Sequence, residues 1–313
     1  MKDEAIEGMI GRVSNWGRWG ADDELGTVNL ITPEKRLQAA SLVRRGEVFS
    51  LGLEFNSGGP YPAGDRRLNP HLGMLQTGTD ILANVQIGAI DGWGYADDMV
   101  TMALQCATHW DALGHAFYDY KMYNDRDCRL VDINGASANS IVPVSSRLVS
   151  RGVLLDVPRA LGVEYLELDH HITVAELELA AERQHVAVES GDIVLLRTGN
   201  LGRARRDGGW DQYIYTDEPG IGLEELAWVS DKGIAGLAAD NWALEVMPSG
   251  CSIMLPVHAV GIVHQGLMVG ENFVLDELAA DCAQDGVYEF LISAAPLAFT
   301  RSVSGPVHPI AVK

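Results

Sequence analysis

The stretch VLLDVPRALGVEYLELDHHITVAELELAAERQHVAVESGDIVLLRTG, residues 153–199, decides the fold class. VLLDV (153–157) and DIVLLRTG (192–199) are short apolar runs without polar alternation, the pattern of strands covered on both faces. Between them, TVAELELAAERQHV (173–186) has apolar residues at helical spacing, with Thr173 placed to cap its first turn. Strand, helix and strand in succession predict an α/β fold. Working outward, GLEELAWVSDKG (222–233) reads as a helix and GIAGLAAD (233–240) as a strand, and YEFLISAAPL and VHPIAV close the chain as further strands. Toward the N-terminus, EVFSLGLEF (47–55) and ANVQIGAI (83–90) read as strands, and a helix runs from about Pro33 to Val43 with Thr32 as its cap. The glycine-rich strands at the front predict a mixed central sheet. Residues 57–80, with Pro60, Pro62 and Pro70, read as one long loop serving a site. No repeat or linker divides the chain, so residues 1–313 are expected to form a single domain.

Composition removes several classes of function. The 313 residues include 43 acidic and 23 basic side chains, a formal charge of −20. Nucleic acid and anionic membranes attract clustered Lys and Arg, so neither is expected as a partner. There is no apolar run of about 18 residues to span a bilayer, and the first residues lack a signal peptide's apolar core. Four scattered cysteines without CxxC spacing predict reduced thiols and a cytoplasmic protein. GxSxG, GxxxxGK[ST] and HExxH are absent, GIGLEE at Gly220 lacks the third glycine of a dinucleotide loop, and DRDCRLVDING has no glycine at the required position of a calcium loop and no Glu at its end.

One segment carries chemistry: MVTMALQCATHWDALGHAFYD, residues 99–119. If MVTMALQCA is a strand, period-2 geometry places Gln105, His109 and Asp111 on one face, with His115 four residues beyond. Imidazole and carboxylate donors suit Zn²⁺ or Mn²⁺. On spacing alone, a satisfied polar turn is an equally good account of the pattern. In LPVHAVGIVHQGLMVGEN (255–272), a short helix with Pro256 in its first turn ends at Gly266. Its His258 and His264 point to different sides, and each alone reads as an ordinary core or surface histidine. Asp240, at the end of GIAGLAAD, is a candidate pocket residue by its place at a strand C-terminus. Trp110 is the one tryptophan placed to touch a substrate.

QCATHWDALGH (105–115) resembles the HxGTHxDxPxH signature of the Putative cyclase family, which includes bacterial kynurenine formamidase and isatin hydrolase. LPVHAVGIVHQGLMVGENFVLDEL resembles the family's second block, and the two ends of the chain resemble those of its longer members. The resemblance implies a swivelling β/β/α fold, a homodimer or higher homo-oligomer, and metal-dependent hydrolysis of an amide or ester bond in a small, usually cyclic substrate such as a lactone, lactam, cyclic imide or isatin-like ring. Its alternatives are an arylformamidase acting on an acyclic substrate, a metal-dependent lyase or cyclase, and a catalytically silent binding protein. It places His109, Asp111, His258 and Glu271 on ligand positions for one divalent ion, Zn or Mn, with Gln105 as a weak further donor. His115 falls on the general acid/base position, and Glu271 either ligates or shuttles the proton. The chain departs from the signature at Gln105, Ala107 and Leu113, where the pattern has His, Gly and Pro. Exchanging an imidazole for the neutral Gln105 favours one ion over two.

Overall fold

A computed structural model describes residues 3–86, 88, 90, 92–207 and 209–313. The centre is a nine-stranded sheet. In chain order its strands are β1 (Val48–Ser50), β2 (His109–Asp111), β3 (Val149–Asp156), β4 (Ile193–Arg197), β5 (Gly236–Ala239), β6 (Met268–Glu271), β7 (Glu289–Ser293), β8 (Ser304–Pro306) and β9 (Ile310–Val312). They lie in the order β1-β9-β7-β3-β4-β5-β6-β2-β8. The four middle strands β3 to β6 are parallel, and every pairing on either flank is antiparallel. This is the mixed α/β architecture expected from residues 153–199. Val153, Leu154 and Leu155, Ile193 to Leu196, and Leu237 to Ala239 are all buried, which is why these strands show no polar alternation.

The helices form where the capping residues allow. In helix α1 (Pro33–Ala40), Thr32 accepts the Lys35 N–H; in α2 (Val174–Arg183), Thr173 and Glu176 make a reciprocal capping box. The first of these ends at Ala40, three residues short of the expected boundary. Helix α3 (Glu225–Lys232) ends at Gly233, whose φ of +67° closes the turn. At the N-terminal ends of the middle strands, Asp192 accepts Lys35 at 2.6 Å and Arg151 at 2.9 Å, which fastens α1 to the sheet. The other ends of these strands are left for the site. Among the described residues, no helix is long and apolar enough to cross a membrane.

Three expectations change. Residues 57–80 are not one loop, because His71–Gln76 pairs with Asp97–Thr101 in an exposed hairpin and Gly78–Leu82 is helical. ANVQIGAI is not a strand in its described part: Ala83 and Asn84 lie in a turn held by N–H bonds to Thr79 and Ile81, and Ile87 and Ala89 lie outside the described residues. MVTMALQCA is not one continuous strand either. It leaves the hairpin at Thr101, turns through Leu104 to Thr108, and His109–Asp111 begins a separate strand in the main sheet.

Candidate metal centre

β2 lies between β6 and β8, with His109 opposite Glu271 and Trp110 opposite Gly270. Alternation along its three residues sends His109 and Asp111 to one face and Trp110 to the other. On that other face the Trp110 indole donates to the Ala294 carbonyl at 2.9 Å and packs edge-on against Phe273, with ring centroids 5.2 Å apart. Gly236 and Gly270 leave it room: a Cβ on Gly270 would approach Trp110, Phe273 and Ala238 within 2.8 Å. Trp110 is fully buried. The expectation that it touches substrate is therefore corrected; it is a core residue that fixes the two side chains beside it.

On the site face, His109, Asp111 and Glu271 converge, each offering one ligand atom within 4.8 Å of the others. His109 Nε2 lies 3.5 Å from Asp111 Oδ1 and 3.3 Å from Glu271 Oε2. His258 faces the remaining oxygens, its Nε2 3.6 Å from Asp111 Oδ2 and 3.3 Å from Glu271 Oε1. Each carboxylate thus turns one oxygen to each imidazole. His115 reaches the same place with Nδ1 3.7 Å from Asp111 Oδ1, and its ring centroid is 6.3 Å from that of His258. Gln105 sits half-buried in the turn before β2, outside the ion pairs and hydrogen bonds described for the cluster.

Both candidate ligand imidazoles are held from behind. His109 Nδ1–H donates to the Ala107 carbonyl at 2.8 Å, and His258 Nδ1–H to Glu245 Oε1 at 2.6 Å. A donor role at Nδ1 leaves Nε2 as the electron-pair donor, the tautomer a metal needs. Glu245 also accepts the N–H groups of Val257 and His258, capping the π-helix His258–Gln265 that carries the second histidine. The wide turn continues to Gly266, where φ is +70°. Sequence reading missed Glu245; it lies in no motif, and its role is visible only from the 13-residue excursion back to His258. His264 faces away, as its spacing requires, and stacks on Trp16 at 4.5 Å.

Buried polar atoms normally have partners. Here His109 Nε2, both oxygens of Asp111, Glu271 Oε2 and His115 Nδ1 are buried without a hydrogen bond. Two carboxylates and imidazole nitrogens, orphaned together, fit a divalent cation that displaces the imidazole protons. The electrostatics agree. Burial raises the cost of charge on Asp111, but His115, His109 and His258 beside it hold its carboxyl well below the usual range. Burial also draws the His109 imidazole down, and the Asp111 and Glu271 carboxylates outweigh it, pushing it up to about 9. His115 shifts the other way, because burial prevails over the attraction of Asp111.

Asp240 has a different task from the one expected. Its oxygens accept the Thr198 N–H at 2.6 Å, the Thr198 hydroxyl at 2.7 Å and the Gly199 N–H at 2.8 Å. It is 1% exposed, so its acceptors go to the turn after β4 and not to a substrate.

The family model described as Putative cyclase matches residues 49–246, well over half of the chain. The chain belongs to this family. A crystal structure of a novel cyclase, 37% identical, superposes with a TM-score of 0.87, covering 97% of this chain and 99% of that one. Isatin hydrolase A from Ralstonia solanacearum is 17% identical with a TM-score of 0.62, over 90% of this cyclase-family chain and 98% of its own. Isatin hydrolase A from Labrenzia aggregata, bound to benzyl benzoate, is 16% identical with a TM-score of 0.61, covering 87% and 94% of the two chains. At these identities the last two show a shared fold. Among curated proteins none matches this chain.

Proposed function

We propose that this cyclase-family protein is a metal-dependent hydrolase that cleaves an amide or ester bond in a small, cyclic substrate. One observation carries the reading: His109 and Asp111 from one strand and Glu271 from the next leave unpartnered, buried atoms around one point, which His258 faces from a helix. His109, Asp111, Glu271 and His258 would hold a single Zn²⁺ or Mn²⁺, with the Gln105 carbonyl as a marginal neutral donor. When bound, the ion supplies an acidified water and polarises the scissile carbonyl.

The chain's own groups do the rest. His115 is the most open of the group, its side chain 19% exposed, and burial keeps it neutral at pH 7. A neutral imidazole beside Asp111 accepts a proton and returns it to the departing nitrogen or oxygen, and Asp111 stabilises the imidazolium between these events. Glu271 is committed to both histidines through its two oxygens, so it serves as a ligand and leaves the proton to His115. The near-complete burial of the cluster excludes bulk water and strengthens each of these interactions. Relatives that act on isatin, by their descriptions, support a ring-opening substrate. Self-association belongs to the same reading, supported by the exposed Leu72, Met74, Leu75, Met99 and Val100 of the hairpin.

The test combines metal analysis with a screen of lactones, cyclic imides, isatin and arylformamides under added Mn²⁺ or Zn²⁺. We expect about one equivalent of metal and hydrolysis of at least one ring class. Less than about a tenth of an equivalent after reconstitution, at concentrations where such sites fill, overturns the reading.

A further inference from the structure

Beside the metal centre lies a cation that the mechanism does not use. Arg67 is half-buried, and among the described residues its guanidinium makes no ion pair, in a chain with a 20-unit excess of acid. Its side chain makes a single hydrogen bond, from Nη1 to the Tyr61 hydroxyl at 2.9 Å, and the group lies 5.8 Å from the Tyr61 ring centroid. A guanidinium has five N–H donors in a planar fork; no Arg67 nitrogen is among the buried unpartnered atoms, so the donors not bound to Tyr61 are open to an incoming acceptor. Burial draws its pKa down, yet the Tyr61 hydroxyl and the Glu271 and Asp111 carboxylates hold it up, so its charge is felt at the centre.

The surroundings are built. Asn69 bonds Tyr61 on both backbone groups, accepting its N–H at 3.1 Å and donating to its carbonyl at 2.7 Å, and Asp65 accepts the Arg67 N–H at 2.7 Å. Tyr215 joins this loop from a segment 150 residues further on, its hydroxyl donating to Asp65 at 3.2 Å. Tyr61 packs edge-on against Tyr215, with centroids 6.1 Å apart, and Tyr215 edge-on against Trp242 at 5.5 Å; Tyr61 and Trp242 are buried, and Tyr215 presents the exposed ring. An open guanidinium fork in the loop that the exposed Tyr215 joins points to a planar acceptor.

We propose that Arg67 forms a carboxylate-binding subsite, so that the substrate is a planar ring that bears its own carboxylate. This deepens the hydrolase reading and rests on it, since it names the substrate class of the same centre. The guanidinium fork takes the carboxylate oxygens, the ring lies against Tyr215, and the bond to be cleaved is thereby presented to the metal side.

The experiment measures benzoate and benzamide binding to the 313-residue chain by calorimetry, metal-free and then metal-loaded. The metal-free arm removes direct carboxylate ligation. We expect benzoate to bind at least ten-fold tighter than benzamide in both arms, and Arg67→Met to weaken benzoate by about ten- to a hundred-fold with benzamide unchanged. Should Arg67→Met fail to fold, Arg67→Lys, which keeps charge without the fork, is read in its place and must weaken benzoate at least three-fold. Equal binding of the two probes, no benzoate binding, or an unchanged preference in the Arg67 variants overturns the subsite. Failure of the metal analysis and hydrolysis screen with the benzoate preference intact would instead overturn the hydrolase reading alone.

Discussion

His109 and Glu271 are direct cross-strand partners, and their side chains meet with Nε2 3.3 Å from Oε2 on the same face of the sheet. Residues paired in this way across an antiparallel ladder are fixed by the backbone register, not by loop conformation. Half of the candidate ligand set is therefore as rigid as the sheet itself, and the consequences for metal uptake, tautomer and proton transfer can be tested separately.

Metal uptake should release protons. With His109 pushed up to about 9 and His258 also well above its ordinary value, both imidazoles hold a proton at pH 7 in the metal-free protein, although burial opposes it. For His109, this raised pKa stabilises the metal-free fold fully below about pH 6.5, and the benefit is lost as pH rises through about 9. A cation must displace these protons, so affinity should climb with pH up to about 9. Calorimetry in buffers of different ionisation heat should report about two protons released per ion at pH 7. Uptake without proton release would remove the histidines from the ligand set.

Glu245→Gln should weaken metal binding by about 10- to 100-fold, the usual worth of a group that orients a ligand histidine. Gln can still accept one N–H at the helix start, so the fold should persist. Chelator competition gives the affinity. An unchanged value would leave Glu245 with helix capping alone.

His115→Ala should retain the metal and lose about 10²- to 10⁴-fold in kcat, with kcat/KM falling in parallel. Stoichiometry and rate must come from the same preparation. Loss of metal in proportion to rate would make His115 a ligand.

Asp240 should leave a signature in the stability–pH profile. Burial raises its carboxyl to about 6, despite the opposing charge of Arg197 and the bonds from Thr198. Between its ordinary value of 3.8 and about 6 the folded state therefore holds a proton that the unfolded state has lost. Its contribution favours folding fully below 3.8 and disappears as pH rises through 6, a span of about 3 kcal/mol. Asp240→Asn should flatten the melting-temperature profile between pH 4 and 6. A profile as steep as that of the parent chain would assign the slope to another group.

The parallel middle of the sheet was legible because Val153–Leu155 and Ile193–Leu196 are buried on both faces, and that burial writes itself as unbroken apolar runs. The helix starts were legible because Thr32 and Thr173 cap them. His109 and Asp111 could be placed on one face by alternation alone, whereas their meeting with His258 and Glu271 rested on a resemblance. The hairpin at His71–Gln76 was hidden because its residues are exposed on both faces and show no core-facing period. Glu245 was hidden for another reason: its partner His258 lies 13 residues on, and no local spacing encodes that contact.

The placement of Trp110 constrains how the family can diversify. On β2 a core side chain stands between two candidate ligands, so a substitution that repacks the interior also moves the donors, and the two cannot drift independently. New specificities must then arise on parts free of that linkage. The loop around Tyr61 and Arg67 and the segment bearing Tyr215 meet each other through Asp65 without entering the strands that carry the ligands. An inherited frame and an exchangeable rim are thereby separated within one chain, and variation among relatives should concentrate on the rim.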